Sequence, residues 1–355
     1  IKSAPDKDAV ERLLKGFEEA FQGRSLAGIP EELATALSAS GGGSLALRFR
    51  QGQSSAVQEA TKIIQDTAAS RDVRRQLLEI CGQVRSPELL TVLKSVVAAE
   101  QDDVVLATAI AAIQNYTDES IAQDVLKRVP AMKQEAWLAS ETLLASRPSW
   151  SAAFVAAVKS NGIAKDKVSD AAVRRMAMHS NADLRQSIEE LWGPVSGPTP
   201  AQIQEELARV GNELAQGTGN PKVGKQLYLQ NCGRCHLLFE EGGRIGPDLT
   251  PFARDNLERM LISIVNPSLE IREGFENYLV LTIDGRVLNG FLVEKDSQIV
   301  ILRGVDGQNT VLKQADIEEM KVVPQSVMPD GALRAYTGQQ LRDLFANLRS
   351  TQPVN

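Results

Sequence analysis

Residues 220–250, NPKVGKQLYLQNCGRCHLLFEEGGRIGPDLT, are the stretch from which we predict the fold of the C-terminal part of the chain. The stretch begins with a short helical pattern over residues 223–230. It continues through Cys232-Gly233-Arg234-Cys235-His236 and ends in the turn residues Gly246-Pro247. The whole chain contains only three cysteines and two histidines. Two of these cysteines and one histidine within a single turn are a specific pattern, and they predict a chemical site there.

The Cys-x-x-Cys-His spacing matches the attachment motif of a c-type heme. Two thiols add to the vinyl groups at one edge of the porphyrin, and the imidazole of the next residue binds the iron as the proximal axial ligand. We therefore expect one covalent heme c attached to Cys232 and Cys235, with His236 on the iron. Two alternatives remain open. Half of a zinc site would need a second Cys or His pair, which the chain lacks, and a thioredoxin-like dithiol would need a strand before the motif.

Several features surround this motif in a characteristic order. A short helix with Gly224 and Tyr228 precedes it, the turn Gly246-Pro247-Asp248-Leu249 follows it, and Met328-Pro329 comes before a final helical pattern that contains Phe345. This order resembles class I cytochromes c over about residues 220–272 and 324–350.

The resemblance implies a role for each matching residue. The Pro247 carbonyl should accept a hydrogen bond from Nδ1 of His236, which would fix the ring and strengthen it as a donor. Leu249, in the same loop, should contact the heme. Gly224 and Tyr228 should pack against Phe345 where the first and last helices cross.

Met328 is the leading candidate for the second axial ligand of the iron. A thioether is a soft ligand that favours ferrous iron and raises the reduction potential. Among the rivals, we expect His179 to be a surface histidine at a helix end and Met260 to be a core residue of its helix. Met176 and Met178 belong to the N-terminal helical region. A sixth position that is empty or exchangeable is the alternative, and it would make the chain a ligand-binding or sensing heme protein.

Residues 1–192 are predicted to form helix after helix, because apolar residues recur at three- and four-residue spacing. The helix openings Asp72-Val73-Arg74 and Asp103-Val104-Val105 recur about 30 residues apart, a spacing typical of helical-hairpin repeats. This region resembles degenerate HEAT-like repeats, and a non-repetitive helical domain is the alternative. Stacked helices imply a scaffold or docking surface rather than chemistry. Cys81 lies in such a helical pattern, and we expect it to be a buried core residue.

Residues 193–355 are predicted to form a linker and a domain with an insertion. Glycine and proline in residues 193–200 indicate a linker, and residues 201–355 are predicted to form the cytochrome c-like domain. Within it, residues 277–323 show the alternation of short strands, and Asp284-Gly285 lies between two of them as a hairpin turn. We predict a small inserted SH3-like or Sm-like β-barrel here. The fold class is therefore mainly α, with helical repeats followed by a cytochrome c domain that carries this barrel.

An insertion at this place also resembles the heme-binding domain of large proteins from planctomycetes and related bacteria, in which HEAT-like helices commonly precede the heme domain. The matching residues are Gly224, Leu227-Tyr228, Cys232 to His236, Gly246-Pro247-Asp248-Leu249-Thr250, Asn266-Pro267-Ser268, Ile271, Asp284-Gly285-Arg286, Gly290 and Ser326-Val327-Met328-Pro329-Asp330-Gly331. In that family the unit is often fused to an upstream propeller that resembles sugar dehydrogenases. This sequence has no propeller pattern, so that activity is not transferred to it. The redox partner is unidentified, and a dehydrogenase domain or protein is a candidate.

Composition and hydropathy exclude several classes of partner and function. A net charge of -6 and a pI near 5.3 argue against nucleic acid as a partner. No apolar run approaches the roughly 18 residues of a membrane span, and no separate catalytic constellation is visible. We expect an electron-transfer module rather than an enzyme. The chain begins at Ile1 without a signal peptide, which suggests a processed form or a piece of a longer protein. Covalent heme attachment in bacteria predicts a periplasmic or otherwise extracytoplasmic location.

Overall fold

The structure is a computed structural model that describes residues 3–20, 30–39, 44–193, 195 and 197–354. It is mainly α-helical with a five-stranded antiparallel sheet, as the sequence predicts at this level. The helices are α1 (Lys7–Ala20), α2 (Glu31–Ala39), α3 (Leu45–Arg50), α4 (Ser54–Gln65), α5 (Arg71–Val84), α6 (Pro87–Ala99), α7 (Asp103–Ile113), α8 (Ser120–Arg128), α9 (Gln134–Leu144), α10 (Pro148–Lys159), α11 (Asp170–Ala177), α12 (Ala182–Trp192), α13 (Pro200–Ala215), α14 (Pro221–Gln230), α15 (Leu257–Val265) and α16 (Gly338–Leu348). The strands are β1 (Leu237–Leu238), β2 (Glu241–Gly242), β3 (Asn277–Thr282), β4 (Val287–Lys295), β5 (Ile299–Arg303), β6 (Asn309–Lys313) and β7 (Ile317–Val323).

Helices α3–α12, which we call the helical half, stack in two layers. Most of these helices pack against the next but one: α3, α5, α7 and α9 follow one another in the first layer, and α4, α6, α8, α10 and α12 in the second, whereas α11 packs against α12. One continuous cluster of buried apolar side chains runs between the layers, from Ala46 to Ile188. Each layer buries the apolar face of the other, which stabilises helices too short to be stable alone. The assignment of these helices to HEAT-like repeats stays a prediction.

The recurring aspartate at a helix start links neighbouring helices of a layer. Asp102 caps its own helix α7, since its Oδ1 accepts hydrogen bonds from the N–H groups of Val104 and Val105 at 3.0 and 3.1 Å. The carboxylate of Asp103 instead accepts from the N–H groups of Lys133 and Glu135, both at 2.9 Å. Asp103 therefore places its charge at the N-terminus of α9, where the helix dipole favours an anion.

The burial of individual side chains confirms one expectation for this half and corrects another. Cys81 is fully buried, as expected, and burial raises the pKa of its thiol to about 12. Met176 is also buried in the helical core. The prediction of a surface position for His179 is wrong, because the side chain is only 4% exposed. Its Nε2 lies 3.0 Å from the Ala145 carbonyl and 3.1 Å from Ser151 Oγ, and these partners make burial of the ring possible.

The boundary between the halves follows local signals. Helix α12 ends at Trp192, and Gly193 adopts a φ of +80° that suits glycine. Helix α13 begins at Pro200 behind a capping box between Thr199 and Gln202. Pro194 and Ser196 of the predicted linker lie outside the described residues, as do residues 1–2, 21–29 and 40–43 of the predicted helical region. Among the described residues, no helix has the length and apolar character needed to cross a membrane.

Helices α13–α16 form a second core, in which α14 and α16 cross at very close range. A Cβ on Gly224 would lie 1.8 Å from the carbonyl oxygen of Asp343, so only glycine fits at the crossing. Tyr228 and Phe345 are both nearly fully buried in the same apolar cluster. The predicted packing of the first and last helices is confirmed. Met260 is also buried in this cluster, as expected.

The inserted segment forms an antiparallel sheet in the order β6-β5-β4-β3-β7. The predicted hairpin at Asp284-Gly285 joins β3 to β4, and Gly285 has a φ of +78°. A third core, which includes Val280 and Val300, lies on one face of the sheet. The recorded pairings leave β6 and β7 at opposite edges. The strands are thus confirmed, whereas closure into a barrel is not seen in the hydrogen bonding.

Candidate functional site

The Cys-x-x-Cys-His motif forms one tight turn directly after α14. Residues Cys232–Arg234 are a 3₁₀ turn, and the N–H groups of Cys235 and His236 donate to the Cys232 carbonyl at 3.1 and 2.9 Å. Neither thiol is in a disulfide. The two sulfurs and the imidazole therefore come from residues of a single turn.

The protonation of the His236 ring follows from its hydrogen bond. Nδ1 lies 2.8 Å from the carbonyl oxygen of Pro247, which is the contact implied by the sequence resemblance. A carbonyl can only accept, so Nδ1 carries the proton and Nε2 has a free lone pair. Burial lowers the pKa of His236, and the Pro247 carbonyl partly opposes that shift. The ring is thus a neutral imidazole, and Nε2 has no hydrogen-bond partner among the described residues.

Two glycines let the following loop fold tightly over the histidine. A Cβ on Gly246 would lie 2.8 Å from Cε1 and 3.0 Å from Nδ1 of His236, so the ring packs directly on the loop backbone. Gly242 has a φ of +119°, and a Cβ there would lie 2.1 Å from the His236 carbonyl oxygen. The Gly246 N–H donates to the Cys235 carbonyl at 2.8 Å. These close approaches leave the imidazole little room to rotate.

The core holds the same turn from its other side. The hydroxyl of Tyr228 donates to the His236 carbonyl at 2.5 Å. The Leu249 N–H donates to the Leu237 carbonyl at 2.8 Å, which fixes the loop beyond Pro247. Leu249 and Cys232 are half-buried and pack against the core of α13–α16. The predicted residues Cys232, Cys235, His236, Pro247 and Leu249 are therefore brought together.

One unexplained polar atom lies next to the motif. The hydroxyl oxygen of Tyr336 is buried and has no hydrogen-bond partner among the described residues. Burial first, and then the nearby Cys232, raise the pKa of Tyr336 to about 12, so the group is a neutral donor. A buried hydroxyl without a partner requires an explanation, and a bound group with a polar edge would supply one. Two thiols, a neutral imidazole and an orphaned donor beside half-buried apolar side chains fit a heme.

The thiols do not suit the thioredoxin-like alternative. Burial raises the pKa of Cys232 to about 11 and also raises that of Cys235. A redox-active dithiol needs a lowered thiol pKa, since the thiolate is the nucleophile. The element before the motif is helix α14 instead of a strand. No group of three or more His, Cys, Asp or Glu side chains that could hold a metal ion occurs in the part of the chain that the structure describes.

The loop that carries Met328 lies next to the end of α15 despite the inserted sheet. Asn277, at the start of the insertion, pairs with Val323 at its end, so the chain leaves and returns at the same place. The Ser326 N–H then donates to Ser268 Oγ at 3.0 Å, and the Met328 N–H donates to Ser326 Oγ at 3.1 Å. Met328 is half-buried. Its position on the iron stays a prediction.

Two residues near the site were missed in the sequence analysis. Tyr336 has no motif around it that marks its hydroxyl. Arg174, on α11 of the helical half, forms an ion pair with Asp330 in the Met328 loop, at 3.1 Å between Nη1 and Oδ2. These partners are 156 positions apart in the chain, so no local pattern connects them.

No family model matches the sequence, and no curated protein matches it significantly.

Proposed function

We propose that this chain is a c-type cytochrome that transfers single electrons through one covalently bound heme. The observation that carries the proposal is the orientation of His236 within its Cys-x-x-Cys-His turn. The Pro247 carbonyl lies 2.8 Å from Nδ1, and the ring packs on Gly246. A metal-bound histidine typically donates its other ring N–H to such an acceptor, which fixes the tautomer and the ring plane.

Each residue has a defined task in this proposal. Cys232 and Cys235 supply the two thioether links, and Nε2 of His236 is the proximal iron ligand. Pro247 keeps the proton on Nδ1, and Met328 supplies the second axial ligand. A heme with both axial positions filled accepts and passes on single electrons. Tyr336 offers a hydroxyl donor to a polar edge of the bound group.

The rest of the chain is proposed to serve this site. The two stacked layers of the helical half are a HEAT-like scaffold, which offers a docking surface rather than chemistry. The redox partner is a protein or domain that supplies or accepts one electron at a time, with a dehydrogenase as the candidate class. Because bacteria attach heme c outside the cytoplasm, we propose a periplasmic or similar extracytoplasmic location.

Covalent attachment is tested with the purified full chain after expression together with a heme-attachment system. We expect one heme per chain in the pyridine hemochrome assay, and the heme should stay with the protein in acidified acetone. Cys232→Ala and Cys235→Ala should each weaken attachment, and the double variant should abolish it. Cys81→Ala is the matched control, since Cys81 is buried in the helical core. A wild-type chain from which all heme is extracted would refute the proposal.

The sixth ligand is tested separately by spectroscopy. With Met328 on the iron, the ferric protein should show the weak long-wavelength Met–iron charge-transfer band, and the ferrous protein should bind CO slowly. Met328→Ala should lose the band and bind CO rapidly, whereas Met178→Ala, at an exposed position of the helical half, should do neither. Rapid CO binding by the wild type without the band would instead support a ligand-binding heme protein.

A further inference from the structure

A residue of the helical half contacts the loop that carries Met328, the proposed sixth iron ligand. Arg174 on α11 pairs with Asp330, two positions after Met328, at 3.1 Å between Nη1 and Oδ2. Only 18% of the Arg174 side chain and 12% of the Asp330 side chain are exposed. A pair with this little exposure is screened less by salt and water than a surface pair. Its attraction is therefore weakened less by salt than that of an exposed ion pair.

The loop around Met328 has few other anchors. Upstream, Ser326 is bound to Ser268. Downstream, the Leu333 carbonyl accepts a hydrogen bond from Arg209 of α13 at 2.9 Å. Between these two points, Gly331 turns the chain with a φ of +74°. Ser326 Oγ also accepts a hydrogen bond from the Met328 N–H at 3.1 Å. The Arg174–Asp330 pair is the contact that joins the loop to the helical half.

Helix α11 is itself held firmly in position. Arg175, the neighbour of Arg174, is 4% exposed and donates to the Thr142 carbonyl at 3.3 Å. Its charge also acts on Asp306 in the β5–β6 turn of the sheet, so the two groups are close. Two consecutive arginines of α11 thus face the sheet and the Met328 loop.

The helical half also binds the β3–β4 hairpin of the sheet through hydrogen bonds and an ion pair. Arg147 donates to the carbonyl and to Oδ2 of Asp284, both at 2.8 Å. The Val287 N–H donates to the Ser146 carbonyl at 2.8 Å. Arg286, buried at this junction, donates to Asn115 Oδ1 at 3.0 Å. With the hairpin fixed in this way, α11 has a defined place beside the Met328 loop.

We infer that Arg174 is a positioning residue for Met328. By pairing with Asp330, it restricts the loop to the arrangement in which the thioether is presented, so the helical half influences how firmly Met328 binds iron. This inference rests on the proposed function. Loss of the pair increases the freedom of the loop, and this entropy favours displacement of Met328 by an external ligand.

The test measures displacement of Met328 by imidazole in the ferric full chain, followed at the Met–iron charge-transfer band. Arg174→Ala and Asp330→Asn should each increase the apparent affinity for imidazole about three- to tenfold, and should speed CO binding to the ferrous protein. Arg174→Lys should restore most of the wild-type behaviour. The exchanged pair, Arg174→Asp with Asp330→Arg, should recover part of it, which loss of folding would not allow.

The matched control is Arg48→Ala, because Arg48 pairs with Glu59 at 3.3 Å within the helical half, away from the loop. It should leave imidazole affinity and CO binding unchanged. If the wild type shows the band and Arg174→Ala binds imidazole and CO as the wild type does, the inference is overturned and the proposed function stands. If heme is attached but the wild type lacks the band, Met328 is not the ligand, and the inference falls with that assignment.

Discussion

Gly246→Ala should push directly against the imidazole ring of His236. The new Cβ would lie 2.8 Å from Cε1 and 3.0 Å from Nδ1 of His236, whereas carbon atoms in good contact are about 3.5–4.0 Å apart. The ring or the loop must therefore move by about 0.5–1 Å. A shift of this size would lengthen the 2.8 Å hydrogen bond to Pro247 beyond its useful range.

Two costs contribute to the expected effect of Gly246→Ala. Loss of the hydrogen bond costs about 1 kcal/mol, and overpacking adds about 1–3 kcal/mol. We expect the half proposed to carry the heme, residues 200–354, to lose about 2–4 kcal/mol of unfolding free energy. The assay is urea unfolding of the full chain followed at the heme absorbance, which reports this half alone. Gly211→Ala on α13 is the control, since a Cβ there has no atom within 4 Å. Equal midpoints for the two variants would refute the packing of His236 on Gly246.

Two further predictions concern the helical half. Burial raises the pKa of Glu141 from 4.5 to about 7. Because the folded-state pKa lies above the unfolded one, its stabilising contribution is full below about pH 4.5 and is lost as the pH rises to about 7, by roughly 3 kcal/mol in all. Thermal melts should show this decline in the wild type, and a Glu141→Gln variant with the same decline would contradict it. Asp103→Ala should remove the cap of α9 and lower the free energy of unfolding by about 1–2 kcal/mol, measured by urea unfolding followed by far-UV circular dichroism. Asp72→Ala, at an exposed position on α5, is the control and should cost far less. Equal losses in the two variants would contradict the capping role of Asp103.

The local parts of the site could be predicted from the sequence because their determinants are close together in the chain. His236 and Pro247 are 11 positions apart, and glycines at defined offsets let the loop close between them. The hairpin at Asp284-Gly285 was likewise visible, since a short turn sets its own geometry. The class of these elements follows from periodicity and turn chemistry alone.

Contacts between distant parts of the chain could not be predicted in this way. Asp103 lies at the start of its own helix α7, but its carboxylate binds the backbone of α9. His179 was expected at the surface, but it is buried because Ala145 and Ser151 provide partners for its ring. In each case the partner is about 30 positions away or more, and only the packing of helices brings it near. Spacing within one segment contains no information about such partners.

The inserted sheet need not separate the two proposed iron ligands. An insertion is tolerated when its ends lie close together, since the entropic cost of closing the intervening loop grows only slowly with length. Asn277 and Val323 are paired neighbours in the sheet, so the chain around Met328 starts from nearly the same point that it would occupy without the insertion. The insertion does, however, add a contact with the helical half, because Asp284 forms an ion pair with Arg147. If the proposed heme is bound, we therefore expect the rigidity of the Met328 loop to depend on the helical half, through Asp330.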